Sequence, residues 1–244
     1  MNSTFFISYG DNNFIQSRKR IQLEATNMGF DNVNVYSPQD ISESFRAQTM
    51  PFISYPRGGG YWLWKSFLLK QTFDKMKLDD ICVYADAGCH INIHGKQRLQ
   101  EYYDMVNSDK SGIISFYLEG LQEEMYTNEK LFEYFNIPIN DTKIRKSCQY
   151  VGGILIIRKC LATISLINSF YNISVTQPNL FSDVHNSYKP NAIFRDHRHD
   201  QSVFSILRKQ YGSVILSDET YNGDNAPNWH ALKHIPILAT RIIG

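Results

Sequence analysis

The chain opens on an apolar run, STFFISYG, that ends in a Gly10-Asp11 turn, and a second run, FDNVNVYS, begins at Phe30. Between them, FIQSRKRIQLEATNMG carries Ile15, Ile21, Leu23 and Ala25 at roughly helical spacing and stops at Gly29. Strand, helix and strand in that order form a crossover unit, and such units build parallel sheets with right-handed connections. The opening therefore confines the chain to the α/β class. The same alternation continues. YWLWKSFLLKQTFDKMK reads as an amphipathic helix, DDICVYADAG as a strand, GKQRLQEYYDMVNS as a helix and SGIISFYL as a strand. Further on, NEKLFEYFNI is helical, CQYVGGILIIRK is a strand with a glycine pair at its entry, and CLATISLINSFYNIS and HDQSVFSILRKQYG are helices. SVILSD is a last short strand, and the tail NWHALKHIPILATRIIG has no clear period.

DDICVYADAG is apolar on both faces, which places it at the centre of a sheet covered on both sides. No repeat, low-complexity tract or Pro/Gly-rich linker interrupts the pattern. We expect one domain over residues 1–244, Rossmann-like, with a mostly parallel central sheet flanked by helices.

Composition then excludes whole classes of function. A net charge of +1 over 244 residues gives no broad positive field for nucleic acid or an anionic membrane. No segment reaches the ~20 apolar residues of a membrane span, so no transmembrane segment is expected. MNSTFFISYGDNN lacks the basic start and long apolar core of a secretory signal. The cysteines Cys82, Cys89, Cys148 and Cys160 have neither CxxC pairing nor zinc spacing. A reducing, cytoplasmic setting is the expectation.

In open α/β sheets, ligands bind where loops leave the carboxyl ends of the strands. Three loops stand out there. Tyr9-Gly10-Asp11 closes the first strand and offers contacts for a base and a ribose. Asp86 closes the central strand after Ala85 and is followed by Ala87 and Gly88, small residues that leave room for a diphosphate. A carboxylate there either forms a strand-end turn or faces a cleft and a hard cation, Mn²⁺ or Mg²⁺. RDHRHDQS crowds His197, His199, Asp200 and Gln201 into one turn ahead of a helix. Asp200 can cap that helix, but capping leaves the density of titratable groups unexplained. PRGGGYWLWKSF sets Gly58, Gly59 and Gly60 before an aromatic cluster, with Arg57 and Lys65 on either side and no Walker-type lysine following. Both cations are candidates for a diphosphate.

The order GGGYWLWK, VYADAG, YVGGILIIRK, HRHDQS and PILATR resembles a group of bacterial and viral nucleotide-sugar glycosyltransferases of the GT-A-like nucleotide-diphospho-sugar transferase superfamily. The resemblance runs from about Phe5 to Arg241. More distantly, the chain is similar to the glycogenin and galactinol synthase group. The resemblance adds Asp86, Gly152 and Gly153 to the residue reading, giving an expected donor site of Tyr9, Gly10, Asp11, Arg57, Tyr61, Lys65, Ala85, Asp86, Gly152, Gly153 and His199. It implies a catalytic pair, Asp200 and Gln201, and a divalent metal held by Asp86. Gly88 stands where that metal motif has its second aspartate, so a tail histidine, His230 or His234, is the expected further ligand.

Three readings follow. In the first, a sugar moves from a nucleotide-sugar donor, a UDP-sugar above all, to a glycan or other hydroxyl acceptor. The second is a metal-dependent phosphoesterase centred on His197, His199 and Asp200. The third is a catalytically silent nucleotide-sugar- or glycan-binding protein.

Overall fold

In the computed structural model, which describes residues 2–188, 192–221 and 231–242, the opening unit forms β1 (Thr4–Tyr9), the Ile15–Met28 helix and β2 (Asn32–Tyr36). Gly29 ends that helix in a left-handed conformation, φ 98°, which a glycine adopts without steric cost. The later strands are β3 (Ile81–Ala85), β4 (His90–Ile91), β5 (Ile114–Gln122), β6 (Cys148–Tyr150), β7 (Ile154–Arg158), β8 (Val214–Ser217) and β9 (Ile237–Leu238).

The main sheet has the order β2-β1-β3-β7. β2 and β3 flank β1 in parallel, and β7 runs antiparallel to β3, with Ala85 opposite Ile154. Every residue of β3 is buried, as its two apolar faces require. Its side chains alternate between two cores: Cys82 and Tyr84 join one, Ile81, Val83 and Ala85 the other. The Trp64–Lys75 and Leu161–Thr176 helices cover the first face, and the Ile15–Met28 and Lys96–Ser108 helices cover the second.

Two segments depart from the sequence-based expectation, and both departures shape the site. CQYVGGILIIRK is two strands rather than one. β6 pairs with β5 in a separate sheet of order β6-β5-β8, while β7 returns to β3. The turn between them is made by Val151, Gly152 and Gly153. The helix expected from Tyr61 begins at Trp64, because Gly58 to Trp62 form a left-handed turn with φ of 60°, 57°, 98°, 53° and 56°. Tyr61 and Trp62 hold that geometry at a cost of about 1–2 kcal/mol each.

The tail contributes β9, which pairs with β4. Beyond it, the Thr240 hydroxyl and the Ile242 N–H both donate to the Gly88 carbonyl at 2.9 Å, laying the tail over the loop that leaves β3. Among the described residues, no helix is long and apolar enough to cross a membrane.

Candidate active site

The glycine turn explains how Asp86 and the helix His199–Tyr211 come to share one crevice. A side chain on Gly152 would place its Cβ 2.8 Å from the Cβ of Gln201, and one on Gly153 would lie 2.6 Å from Asp86 Oδ2. Only hydrogen fits at either position, so the turn draws the end of β3 and the start of the helix together. Backbone bonds fix the approach: Asp86 N–H donates to the Gly153 carbonyl at 2.9 Å, and Gly152 N–H donates to Gln201 Oε1 at 3.0 Å.

Lys65 closes the floor of this crevice. It is buried, and its ammonium donates to Asp200 Oδ2 at 2.5 Å and to the Gly152 carbonyl at 3.0 Å. Its next neighbour is Asp86 Oδ1 at 3.6 Å, beyond hydrogen-bonding distance. Burial pulls the lysine's pKa down, but Asp200 and Asp86 outweigh it and hold it above its ordinary value, so the ammonium stays charged. Burial pushes the Asp200 carboxyl upward against the pull of Lys65. Asp86 is the opening of the group. Its side chain is 45% exposed, Oδ1 takes the Tyr84 hydroxyl, and Oδ2, beside Gly153, takes no hydrogen bond from any described residue.

A pocket of about 180 Å³ opens at the carboxyl ends of β1 and β2, walled by Tyr9, Asp11, Arg46, Tyr55, Gly59 and Trp64. Tyr9 stacks on Trp64 with ring centroids 3.8 Å apart. Burial and the nearby Asp11 push the Tyr9 phenol up to about 12, so it remains a neutral donor. Asp11 Oδ1 caps the following turn through Asn13 N–H at 2.8 Å, which leaves Oδ2 to the pocket.

The remaining sequence candidates divide. Gly10 lets the first helix close on β1, since a Cβ there would lie 2.7 Å from the Cβ of Phe14. Ala85 is wholly buried in the core beneath the site. Arg57 is held by Asp183 and Asp196 at 2.8 Å each, which occupies its guanidinium. Tyr61 packs on His199, with ring centroids 5.2 Å apart. His199 Nδ1 contacts the Phe181 carbonyl at 2.7 Å, and Trp62 covers the ring from 5.1 Å. His197 is fully buried; Nε2 contacts the Leu180 carbonyl at 2.8 Å and Nδ1 accepts from Asn128 N–H at 3.3 Å. Both its nitrogens serve the backbone, and burial depresses its pKa to about 3. A phosphoesterase centre needs metal-ligating or proton-transferring imidazoles; both His197 nitrogens are taken, and His199 Nε2, though without a hydrogen-bonding partner, is buried.

The described residues by themselves do not make a divalent-metal site. Among the described residues, no group of three His, Cys, Asp or Glu side chains converges. Asp86 offers one oxygen without a hydrogen-bonding partner among the described residues, and Asp200 is spent on Lys65. A dication bridging the two carboxylates would meet the Lys65 ammonium between them, an arrangement of like charges. Gly88 cannot be a ligand, and the space for a side chain there is filled by the Arg241 backbone, 3.3 Å from a built Cβ. His234 is exposed in the tail, and His230 lies outside the described residues.

Sequence reasoning passed over two side chains that hold this site. Gln149, buried in β6, accepts from Gln201 Nε2 at 2.6 Å, so both ends of the Gln201 amide are fixed. Gln149 in turn donates to Glu123 Oε2 at 3.2 Å. Glu123 is fully buried and also takes Thr127, Ser205 and Lys209. A glutamine within an apolar strand was the available signal, because a buried amide needs partners.

The sequence matches no family model and no curated protein. Solved structures do match the fold. The chain superposes with a TM-score of 0.50 on a glycosyltransferase involved in the glycosylation of the major capsid of PBCV-1, at 10% identity, covering 97% of this chain and 91% of that one. It is equally similar to mouse xyloside xylosyltransferase 1 in its apo form, with a TM-score of 0.50 at 13% identity and 100% of both chains covered. At such identities the likeness is one of architecture: the chain has the GT-A glycosyltransferase fold.

Proposed function

We propose that the protein transfers a glycosyl group from a nucleoside diphosphate sugar to a hydroxyl acceptor, with UDP-sugars as the first donors to test. The observation that carries this reading is the alignment of two features along the carboxyl edge of one sheet. A pocket with an aromatic wall opens beyond β1 and β2, and beyond β3 lies a lysine–carboxylate group whose Asp86 side chain is half-exposed. A nucleoside at the first and a diphosphate-linked sugar at the second match the order of groups in such a donor, and ligands of open α/β sheets bind at this edge.

The chemistry follows from the charges. Breaking the anomeric C–O bond builds positive charge on the sugar and negative charge on the departing diphosphate. Lys65, held by Asp200 and Gly152 with one N–H left over, is already oriented to meet that negative charge without reorganising. Asp86, the half-exposed carboxylate, stands opposite to receive a sugar hydroxyl or the developing cation. Asp200 thus acts through Lys65. Gln201, clamped by Gly152 and Gln149, fixes the helix terminus beside the sugar.

The test is release of nucleoside diphosphate from a panel of UDP-, GDP- and CDP-sugars with simple glycoside acceptors. Turnover by the native chain, reduced about 100-fold or more in Asp86→Asn and in Asp200→Asn, is the expected result. Phosphate release from simple esters without any glycoside product would overturn it.

A further inference from the structure

We propose that the positive charge neutralising the donor's diphosphate comes from the chain itself, from Arg198 and Arg241, and that nucleotide binding needs no divalent cation. This rests on the reading of the site as a nucleoside diphosphate sugar site, and it replaces the metal that the fold would suggest.

The first support is the poor donor set already described: one carboxylate oxygen to spare, a glycine where a second acid would stand, and an ammonium between the two carboxylates. The second is independent of it. Arg198 immediately precedes His199 and Asp200, and its guanidinium lies 3.8 Å over the Tyr126 ring. Arg241 crosses the loop that leaves β3, with its backbone against Gly88 and its guanidinium 5.3 Å over Tyr221. Neither guanidinium forms an ion pair or hydrogen bond with any described residue, a lack shared by Arg18; Arg46 and Arg208 bond backbone carbonyls, and Arg20, Arg57, Arg98, Arg145 and Arg158 each have a carboxylate. The two are also close enough to repel one another: burial and then the Arg241 charge lower the pKa of Arg198.

Two arginines without carboxylate partners that repel one another are unfavourable in the free protein, and an anion bound by both would relieve that repulsion. One comes from the segment leading into Asp200 and the other from the strap over Gly88, so both are anchored on segments that adjoin the Lys65 site. Lys65 is already balanced by Asp200, so the two guanidiniums are the charges left to meet the diphosphate of a bound nucleotide sugar without a metal. Guanidiniums suit that task because each offers paired N–H donors to phosphate oxygens.

The experiment is isothermal titration of UDP into the full chain, once in excess EDTA and once with Mn²⁺, repeated for Arg241→Ala, Arg198→Gln and the double variant. Uridine and uridine monophosphate serve as probes with less phosphate, and thermal melting checks that each variant folds. The expected result is a dissociation constant that changes less than threefold with Mn²⁺. Each arginine change should weaken UDP at least tenfold, weaken uridine little, and flatten the salt dependence. UDP binding at least tenfold weaker in EDTA, with arginine variants binding like the native chain, would overturn the inference while leaving glycosyl transfer standing. If UDP, GDP and CDP all fail to bind under either condition, the inference and the reading beneath it both fall.

Discussion

Two lysine–carboxylate pairs lie along the His199–Tyr211 helix, and they differ in one respect. Lys209 and Glu123 pair at one side of it, with 9% and 0% of their side chains exposed; Lys65 and Asp200 pair at its start, with 4% and 8%. By burial alone the two are alike. Glu123, however, is saturated: Oε1 takes Ser205 and Lys209, and Oε2 takes Thr127 and Gln149. The Lys65 pair instead opens onto Asp86, whose side chain is 45% exposed and whose Oδ2 has no hydrogen-bonding partner among the described residues. A buried charge pair therefore does not by itself mark a reactive centre. What marks it is an outlet: one polar atom left over where a ligand can reach it. The sealed pair has a different task, holding the helix and, through Gln149, the Gln201 amide at the edge of the crevice.

That contrast predicts opposite responses to mutation. Glu123→Ala leaves Lys209 buried without its counter-charge and should cost about 3–5 kcal/mol in urea unfolding. Asp86→Asn should cost less than about 1 kcal/mol, because its carboxylate is half in water, yet it should remove transfer. Equal stability losses in the two variants would erase the distinction between sealed and open pairs.

The sealed side also predicts a pH effect. His197 titrates near 3 when folded, against about 6.5 unfolded. Because its folded pKa is depressed, its contribution to stability is complete above the unfolded value and declines as pH falls toward the folded one. By pH 5 it should have lost about 2 kcal/mol relative to pH 8. His197→Gln should show a shallower fall than the native chain over that range, and an unchanged slope would remove His197 from the account. Smaller again is the junction between the two regions. Gly152→Ala forces a methyl against Gln201 and should cost about 1–2 kcal/mol, with activity falling more than a helix shift elsewhere would explain. Adding Gln201→Gly, which removes the Cβ that the methyl meets, should return part of that stability, and adding Gln201→Ala, which keeps it, should not.

How much of this was written in the chain follows the same division. The central strand was legible because DDICVYADAG is apolar on both faces, and only a covered strand needs that. Asp86 was legible as its last residue. The break of CQYVGGILIIRK into two strands was not, since a glycine pair inside an apolar run reads equally as a bulge. What the glycines do becomes visible only when Asp86 and Gln201, far apart in sequence, arrive beside them. RDHRHDQS drew notice for its density of titratable groups, but the density mixes two functions. His197 seals a loop from inside, whereas Asp200 sets the ammonium of Lys65. Arg57 and Lys65 looked alike as flanking cations, and only the fold assigns one to Asp183 and Asp196 and the other to the crevice.

The most direct measurement is a crystal structure of the chain grown with UDP. The account predicts the base in the pocket beside Tyr9, Tyr55 and Trp64, with a phosphate oxygen within hydrogen-bonding reach of Lys65 Nζ and Asp86 on the side where a sugar would extend. A diphosphate seated elsewhere, with the Lys65–Asp86 crevice still filled by water, would contradict it.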